Sequence, residues 1–486
     1  MTKKFKLLAR LFKCFVFLCF FCGYGNVIKS ITSDSVVLNT CYSSSQSNSI
    51  EKPKKTLKAL VVYSSTSYFL YRGEIMGFEY ELLERLARKL NMDLEIVLSQ
   101  NIDSLIPDLL SGKADLIAHG MTITDERRYS ILFTDPLYIS HQVLIQKKPD
   151  NWHKMNKSQF EENMVRYPRK LVGDTVFVRE NSSYKNQLEV LNANLGGGIV
   201  IQALDGSYST DKIIDLVNKG IIKYTIADAN LAKINTVNML DLDIDTSVSN
   251  DQEIAWAVRP DSQELLNAIN QQLKVAKKNT DYYVIYNKYF KNRSYYKKRL
   301  KSSYYSIKHD KISPYDDIIK KEAERIDWDW RLLSSLIYQE SRFNPAAESW
   351  SGAVGLMQIM PVTAKAHGLE DPTNPNENIK AGATYLQQIY NQFKDIESKE
   401  QRIKFTIASY NSGYGHILDA QRLADIYKKD KHIWDNNVEL MMLELGKPEV
   451  YHKPEVKHGY ARGVETYNYV KEIFQRYDNY TYFIKY

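Results

Sequence analysis

A chain of 486 residues is too long for one hydrophobic core of ordinary size, and its length predicts about two to four domains. With 25% charged and 44% hydrophobic residues, its composition is typical of a folded protein and excludes a largely disordered one. The formal net charge of +7 is small for this length, so the charge requires no nucleic-acid partner and we predict none.

The first 25 residues have the pattern of a secretory signal. Basic residues between Lys3 and Lys13 precede an apolar run at 14–22, which is shorter than a membrane-spanning helix needs. Small residues at 23–25 offer a cleavage point, so we predict export across the inner membrane. An uncleaved anchor is the alternative. A lipoprotein signal is disfavoured because bulky residues directly precede Cys19 and Cys22.

The segment that follows, 26–55, is a predicted polar tether, rich in Ser from 43 onward. Cleavage after Gly25 would leave Cys41 as the only cysteine, so we expect no disulfide within the chain. The sequence contains no HExxH, Cys/His, EF-hand or P-loop spacing. We therefore predict neither a metal nor another cofactor.

The predicted domain at 56–290 begins with alternating elements. Residues 57–63 predict a buried strand, 80–90 an amphipathic helix and 94–98 another strand. Alternation of this kind favours an α/β fold.

Four segments of this domain, at 58–62, 77–82, 115–127 and 133–138, together resemble extracellular solute-binding proteins of the amino-acid type. The resemblance implies a two-lobed fold like that of periplasmic binding proteins.

It also implies a ligand site in which the Arg127 guanidinium clamps a carboxylate and Asp228 accepts the α-ammonium group. Thr122 and either Ser182 or Ser183 would add hydrogen bonds. For Arg127, the alternative role is a structural ion pair with Asp125 or Glu126.

Between the domains, 291–312 is rich in Lys, Arg and Tyr. Its composition favours a solvated linker over a wall-binding or interdomain role.

The last predicted domain, 313–486, contains an amphipathic helix at 330–341. Leu333, Leu336 and Ile337 form an apolar stripe that Glu340 continues, and Asn344-Pro345 is a predicted stop. Apolar surroundings and a helix C-terminus both disfavour the charged carboxylate, so we expect a raised pKa for Glu340. A raised pKa suits a general acid that works near neutral pH.

Four ordered motifs in this domain, at 340–345, 349–361, 408–413 and 460–470, resemble the catalytic domain of soluble-type lytic transglycosylases. These are lysozyme-like, mainly α enzymes that cut peptidoglycan without water. The resemblance implies that Glu340 protonates the glycosidic oxygen and then takes the proton of the muramoyl C6 hydroxyl as a 1,6-anhydro ring closes. We find no motif-level second carboxylate, and Glu348 is predicted to be a solvated loop acid.

The resemblance assigns substrate-binding roles to six further residues, for which packing or turn formation is the alternative. They are Ser349, Met357, Gln358, Tyr410, Asn411 and Glu465. Tyr467 stands where many relatives have arginine, so the sequence departs there from the family pattern and lacks the polar contact of an arginine.

The order of the two domains resembles the membrane-bound lytic transglycosylase F family. This resemblance implies a membrane-associated protein of the periplasm, at the outer membrane, that cleaves glycan strands and binds an amino acid or muropeptide in an N-terminal module with a regulatory role. Two alternatives stay open: a hydrolase of the goose-lysozyme kind, and a non-catalytic cell-wall peptide receptor.

Overall fold

The computed structural model describes residues 55–99 and 101–485, so the predicted signal segment and nearly all of the predicted tether lie outside the described residues. The described part belongs to one compact unit, Lys54–Tyr486. Its strands are β1 Thr56–Val62, β2 Phe69–Tyr71, β3 Glu74–Met76, β4 Asp93–Ser99, β5 Leu116–Thr122, β6 Leu132–Phe133, β7 Tyr138–Ser140, β8 Gln142–Lys147, β9 Thr175–Arg179, β10 Val200–Leu204, β11 Tyr224–Asp228, β12 Leu242–Ser247 and β13 Gln252–Val258.

The α-helices are concentrated in the C-terminal half. They are α1 Phe78–Lys89, α2 Leu105–Leu110, α3 Asp125–Arg128, α4 Lys157–Asn163, α5 Ser183–Asn194, α6 Thr210–Asn218, α7 Ala229–Asn235, α8 Gln263–Lys278, α9 Thr280–Tyr286, α10 Arg293–Leu300, α11 Asp316–Arg325, α12 Trp330–Ser341, α13 Pro361–Ala366, α14 Pro375–Tyr390, α15 Lys399–Ser412, α16 Tyr414–Ile426, α17 Glu439–Glu444, α18 Pro448–Tyr451 and α19 Gly463–Phe483. Among the helices of the described residues, none is long and apolar enough to cross a membrane.

The first lobe is built on a sheet with the order β4-β1-β5-β13-β6, in which β7 also pairs with β13. β1 runs parallel to both β4 and β5, while β13 is antiparallel to β5. The four residues 59–62 of β1 are buried in succession, as a strand covered on both faces requires. The predicted strand, helix and strand at the start of this domain are confirmed as β1, α1 and β4.

The second lobe has a five-stranded sheet with the order β10-β9-β11-β8-β12. The chain enters it between β7 and β8 and returns between β12 and β13, so two adjacent segments join the lobes. The side chain of Gln142 on one segment donates a hydrogen bond to that of Gln252 on the other, at 2.9 Å. Two lobes joined in this way confirm the predicted α/β architecture and create a cleft between the sheets.

One hydrophobic core extends from the first lobe into the mainly helical C-terminal half. It contains Leu57 of β1 and Trp256 of β13 together with Leu336 of α12 and Tyr480 of α19, all fully buried. The second lobe has separate clusters on the two faces of its sheet. The first lobe and the helical half therefore support each other by direct packing.

The segment 291–312 contradicts the solvated linker that its composition favours. Arg299, on α10, is fully buried, and its guanidinium lies 4.6–5.8 Å from five aromatic ring centres. The rings belong to Phe69, Tyr289, Tyr295, Tyr296 and Tyr305. Because π-faces attract a cation, this aromatic cage holds the charge without hydrogen bonds. The prediction of solvation is wrong for Arg299 and the rings around it because it weighed polarity alone, whereas Lys297 and Lys298 beside it are exposed.

Candidate functional site

Glu340 lies in the last turn of α12, half-buried, and its carboxyl group accepts a hydrogen bond from the Tyr469 hydroxyl of α19. Burial raises the pKa of Glu340 to about 7, against the smaller lowering effect of the Tyr469 hydrogen bond. Among the described residues, no second carboxyl group contributes to this pKa shift. The carboxyl can therefore hold a proton at neutral pH, with no charge effect from a neighbouring acid.

The chain turns sharply after Glu340. The helix ends at Ser341, three residues before the predicted stop, and Arg342 and Phe343 both have left-handed backbone angles, with φ 51° and 60°. Non-glycine residues seldom adopt this conformation, and it is costly where it occurs. The Ser341 hydroxyl donates to the Leu356 carbonyl at 2.8 Å, which ties the end of the helix to the loop that follows.

The loop at 347–359 is braced by its own polar groups. The Gln358 amide donates to the carbonyls of Ala347 and Gly355, each at 3.0 Å. The Ser349 hydroxyl accepts from the Ala353 amide at 2.9 Å. Gly355 has φ 86°, and an added Cβ would collide with the Pro372 carbonyl. Two of the three predicted substrate contacts in this loop, Ser349 and Gln358, thus hold the loop in shape.

Across from the loop, Tyr410 in α15 donates from its hydroxyl to the Met357 carbonyl at 2.7 Å. Met357 is fully buried, so it acts on the site through the hydrogen bond that orients the Tyr410 hydroxyl. Burial is the main cause and the nearby Glu340 charge a second cause of a pKa for Tyr410 well above its usual value. Tyr410 therefore remains a neutral hydroxyl close to Glu340.

Asn411, which follows Tyr410 in the chain, and Glu465 line a second cavity of about 320 Å³. The Asn411 side-chain oxygen accepts from the buried Thr466 hydroxyl at 2.8 Å, which fixes the orientation of its amide. Glu465 is exposed and lies 3.7 Å from Arg462. Glu348, the other acid considered in the sequence, is exposed on the loop.

The first lobe contacts the rear of the Glu340 site. The β2–β3 hairpin turns through Arg72 and Gly73, with φ 53° and 78°. The Gly73 carbonyl accepts from the Tyr480 hydroxyl at 2.6 Å. A Cβ on Gly73 would lie 2.5 Å from the Phe343 ring and 2.9 Å from the Tyr338 ring. The hairpin tip is thus packed directly against the turn after Glu340.

The cleft between the lobes encloses a cavity of about 360 Å³ that includes Arg127 and Asp228 in its lining. Arg127 donates to the Thr122 carbonyl at 3.1 Å and the Asn181 carbonyl at 3.5 Å. Within residues 55–99 and 101–485 it forms no ion pair, so the alternative of pairing with Asp125 or Glu126 is not seen. An arginine with remaining donors in a cavity is suited to an anionic ligand.

Asp228 ends β11 and is buried at the cavity wall. One carboxyl oxygen accepts from the Tyr184 hydroxyl at 3.0 Å, and the other is buried without a hydrogen bond. Burial raises the pKa of Asp228 to about 6, partly offset by the Tyr184 hydrogen bond and then by the Arg179 charge. This carboxyl has an unused acceptor that a ligand ammonium group would satisfy.

The predicted serine and threonine contacts also lie at the cavity. Thr122 and Ser183 join the two lobes, with their hydroxyls 3.0 Å apart. Ser182 caps α5: its hydroxyl accepts from the Lys185 amide at 3.2 Å and donates to the Arg179 carbonyl at 2.7 Å. Its hydroxyl is therefore occupied within the protein.

Sequence reasoning missed three residues that the structure brings to these sites. Tyr469 lies in the motif at 460–470 but had no assigned role, Tyr480 lies beyond every motif, and Arg179 of β9 lines the cleft cavity. Only the motif at 460–470 carried any signal. In the described part of the chain, no group of three or more His, Cys, Asp or Glu side chains is placed to hold a metal.

Comparison with known protein families matches two models to the chain. Residues 61–292 match the bacterial extracellular solute-binding proteins, family 3, and residues 317–433 match the transglycosylase SLT domain. The second span contains Glu340 and Asn411 and ends before Tyr469. These matches agree with the two-lobed α/β half and the mainly helical half described above.

Similar proteins match across both halves. A membrane-bound lytic murein transglycosylase F of Desulfosudis oleivorans is 34% identical over 85% of this chain and 87% of that protein. One of Shewanella sediminis is 30% identical over 87% of this chain and 85% of that protein. Among solved structures, an ancestral arginine-binding protein bound to arginine matches at 24% identity, with a TM-score of 0.41, over 49% of this chain and 99% of that one.

Proposed function

We propose, from the premise that this chain belongs to the membrane-bound lytic murein transglycosylase F family, that Glu340 is the single acid and base of a peptidoglycan lytic transglycosylase. The observation that carries the assignment is a carboxyl with a pKa of about 7 at a braced turn. At neutral pH such a group exists in both protonation states, so it can donate a proton and then accept one.

In the first step, the Glu340 carboxylic acid protonates the oxygen between N-acetylmuramic acid and N-acetylglucosamine. The muramoyl C1–O bond breaks and N-acetylglucosamine leaves with that proton. In the second step, the muramoyl C6 oxygen bonds to C1, and the Glu340 carboxylate takes the C6 hydroxyl proton. The carboxylic acid is regenerated, a 1,6-anhydro ring has formed, and no water is consumed.

The neighbours of Glu340 support this cycle. The Tyr469 hydroxyl stabilises the carboxylate between the two steps, because its hydrogen bond lowers the pKa. Tyr410 and Asn411 present neutral polar groups to the sugar near the reacting carbon, and Thr466 holds the Asn411 amide in place. Ser349, Met357, Gln358 and Glu465 complete the proposed sugar-binding set, with Met357 acting through its hydrogen bond to Tyr410.

A hydrolase of the goose-lysozyme kind is the alternative reaction, in which water attacks C1. Most glycosidases use a pair of carboxylates separated by about 5–10 Å. Burial, with no charge effect from another acid, raises the pKa of Glu340. This favours the internal C6 nucleophile, which needs no second carboxylate to activate water.

The cleft of the N-terminal half is the proposed site for an amino-acid ligand. Its carboxylate would bind Arg127, and its ammonium group would bind the unpartnered oxygen of Asp228. Thr122 and Ser183 lie where the lobes meet, and Ser182 would act by holding the backbone of the binding loop. A muropeptide would present the same pair of groups.

Regulation of the enzyme by this module requires a ligand that binds two enzyme states with different affinity. The contact between Gly73 and Phe343 gives the cleft-bearing half a physical connection to the Glu340 turn. We propose that ligand occupancy alters turnover through this contact. If turnover stayed constant at saturating ligand, the proposed regulation would be overturned and the proposed enzyme activity would be unaffected. The family name also supports a membrane-associated place in the cell envelope.

The experiment that tests the enzyme is digestion of purified peptidoglycan, with the soluble products read by mass spectrometry. We expect anhydromuramoyl products from the wild type and none from Glu340→Gln, because an amide cannot donate and reclaim the proton. Products one water heavier would establish a hydrolase. No product from the wild type would favour the receptor alternative.

A further inference from the structure

Arg179 is a buried cation without a direct partner. It ends β9, is only 7% exposed, and lines the cleft cavity opposite the first lobe. Its Nε and Nη1 atoms are buried and form no hydrogen bond. Over residues 55–99 and 101–485, no carboxylate lies within ion-pair distance of its guanidinium. Burying an arginine in this way is costly unless something satisfies it.

Two guanidinium groups therefore face one cavity from opposite lobes. Arg127 and Arg179 are close enough for the second charge to lower the pKa of the first, after the larger effect of burial. His119, on the same cavity, has a pKa lowered to about 3 by burial and then by the charges of Arg179 and Arg127. It is therefore neutral at pH 7 and adds no third positive charge to the cavity.

The acidic groups of the cavity do not pair with Arg179 directly. Asp103, Asp211 and Asp228 all lie on the lining, and each exerts only a distant charge effect on it. Glu79, Asp103 and Asp228 each have one buried carboxyl oxygen on this lining without a hydrogen bond, and that of Asp228 is the acceptor used in the proposed amino-acid site. The cavity thus offers two guanidinium groups to anions and the Asp228 oxygen, among its carboxyl acceptors, to a cation.

We infer that the cleft binds a free α-amino acid whose side chain ends in a second carboxylate, and that Arg179 receives this second carboxylate. The inference rests on the proposed amino-acid site, in which Arg127 holds the α-carboxylate and Asp228 the ammonium group. A neutral amino acid would leave Arg179 buried and unpaired, so the site discriminates against it. A cavity of about 360 Å³ is at the small end of ligand pockets, which suits a single amino acid.

The test is calorimetric titration of the purified full-length chain with L-glutamate and L-glutamine, which differ only in a carboxylate and an amide. We expect L-glutamate to bind at least about tenfold more tightly, since a charge-assisted pair is at stake. Arg179→Gln should weaken L-glutamate binding by at least about tenfold and abolish the preference. Arg127→Gln should weaken the binding of both ligands. L-aspartate tests whether the site accepts a shorter acidic side chain.

The outcomes separate the two levels of the assignment. Equal or tighter binding of L-glutamine, with both ligands still dependent on Arg127, would overturn the role of Arg179 and keep the amino-acid site. No binding of any of the three ligands, or binding that ignores Arg127→Gln, would overturn both. A melting temperature for each variant controls for folding. The ratio of the wild-type affinities for L-glutamate and L-glutamine decides the question even if Arg179→Gln fails to fold. Arg179→Lys should give an intermediate ratio.

Discussion

Glu340 and Arg179 are both ionisable groups in buried surroundings, but the two regions that contain them treat charge differently. Glu340 has a hydrogen-bond donor in Tyr469 and can become neutral by binding a proton near pH 7. A guanidinium cannot lose its proton in this way, so the Arg179 charge persists. Glu340 can therefore lose its charge without a ligand, whereas the charge of Arg179 stays and has no hydrogen bond at two of its nitrogen atoms. Buried charge marks both sites, and what satisfies it differs between them.

Glu340→Gln tests the catalytic side most severely. We expect turnover to fall by about a hundredfold to ten-thousandfold, the usual range for lost acid–base catalysis, measured as the rate of anhydromuramoyl product release. Glu348→Gln removes an exposed acid eight positions along and is the matched control. Equal loss in both variants would contradict a special role for the buried carboxyl.

The same variant has a stability effect whose sign follows from the raised pKa. A group with a pKa of about 7 in the folded protein, above its ordinary 4.5, favours folding most at low pH and loses that contribution as pH rises through 7. Gln has no such loss. Relative to wild type, Glu340→Gln should therefore gain stability between pH 5 and pH 8, by about 3 kcal/mol at most. Denaturant unfolding at both pH values measures it.

Gly73→Ala tests the contact between the two regions. The new Cβ would displace Phe343, and a shift of about 1 Å at a catalytic group can cost about a hundredfold in rate. Gly112→Ala is the control, because Gly112 has φ 80° and open space around it. Alanine there should strain the backbone to a similar extent without a collision. We expect turnover to fall in the first variant alone. Equal turnover in the two variants would show that the hairpin contact does not affect the Glu340 turn.

Arg299→Ala tests the aromatic cage that encloses this arginine. Removing the fully buried side chain leaves a cavity among five rings, so the free energy of unfolding should fall by about 3 kcal/mol. Arg299→Met keeps most of the volume and should cost less. If the two variants were equally destabilised, the charge and not the packing would dominate. Urea unfolding curves distinguish these results.

Ser182→Ala should have the smallest effect. It removes the cap of α5 and the hydrogen bond to the Arg179 carbonyl, so stability should fall by about 1 kcal/mol. Asn156→Ala removes a cap of α4 far from the cleft and serves as the reference. If Ser182→Ala lowered the affinity for L-glutamate much more than the stability, the Ser182 hydroxyl would have to contact the ligand directly.

The sequence was informative where a short motif carries the chemistry. The motif containing Glu340 and the apolar stripe before it were sufficient to predict a carboxyl with a raised pKa, and the alternation of strand and helix was sufficient to predict the first lobe. In both cases the determining residues are close in the chain. Local periodicity reports which face of an element is buried, and burial is the main cause of the pKa shift.

The parts that could not be predicted depend on residues far apart in the chain. Tyr469 lies 129 positions from the carboxyl it contacts, and Tyr480 lies 407 positions from Gly73. Arg299 sits in a segment rich in charge, and only the fold reveals that five rings surround it. Partner identity across such separations is set by packing of whole elements, which a single sequence does not encode in any local pattern.

The measurement that tests the central claim most directly is the pH dependence of kcat/KM for anhydromuramoyl product release, for the wild type and Tyr469→Phe. This parameter follows the ionisation of the free enzyme. With Glu340 as the acid, activity in the wild type should decline as pH rises through about 7. The Tyr469 hydrogen bond lowers the pKa, so its removal should move the decline to higher pH. A wild-type decline near the ordinary pKa of glutamate, or an unchanged midpoint in Tyr469→Phe, would contradict the role of the buried Glu340 carboxyl.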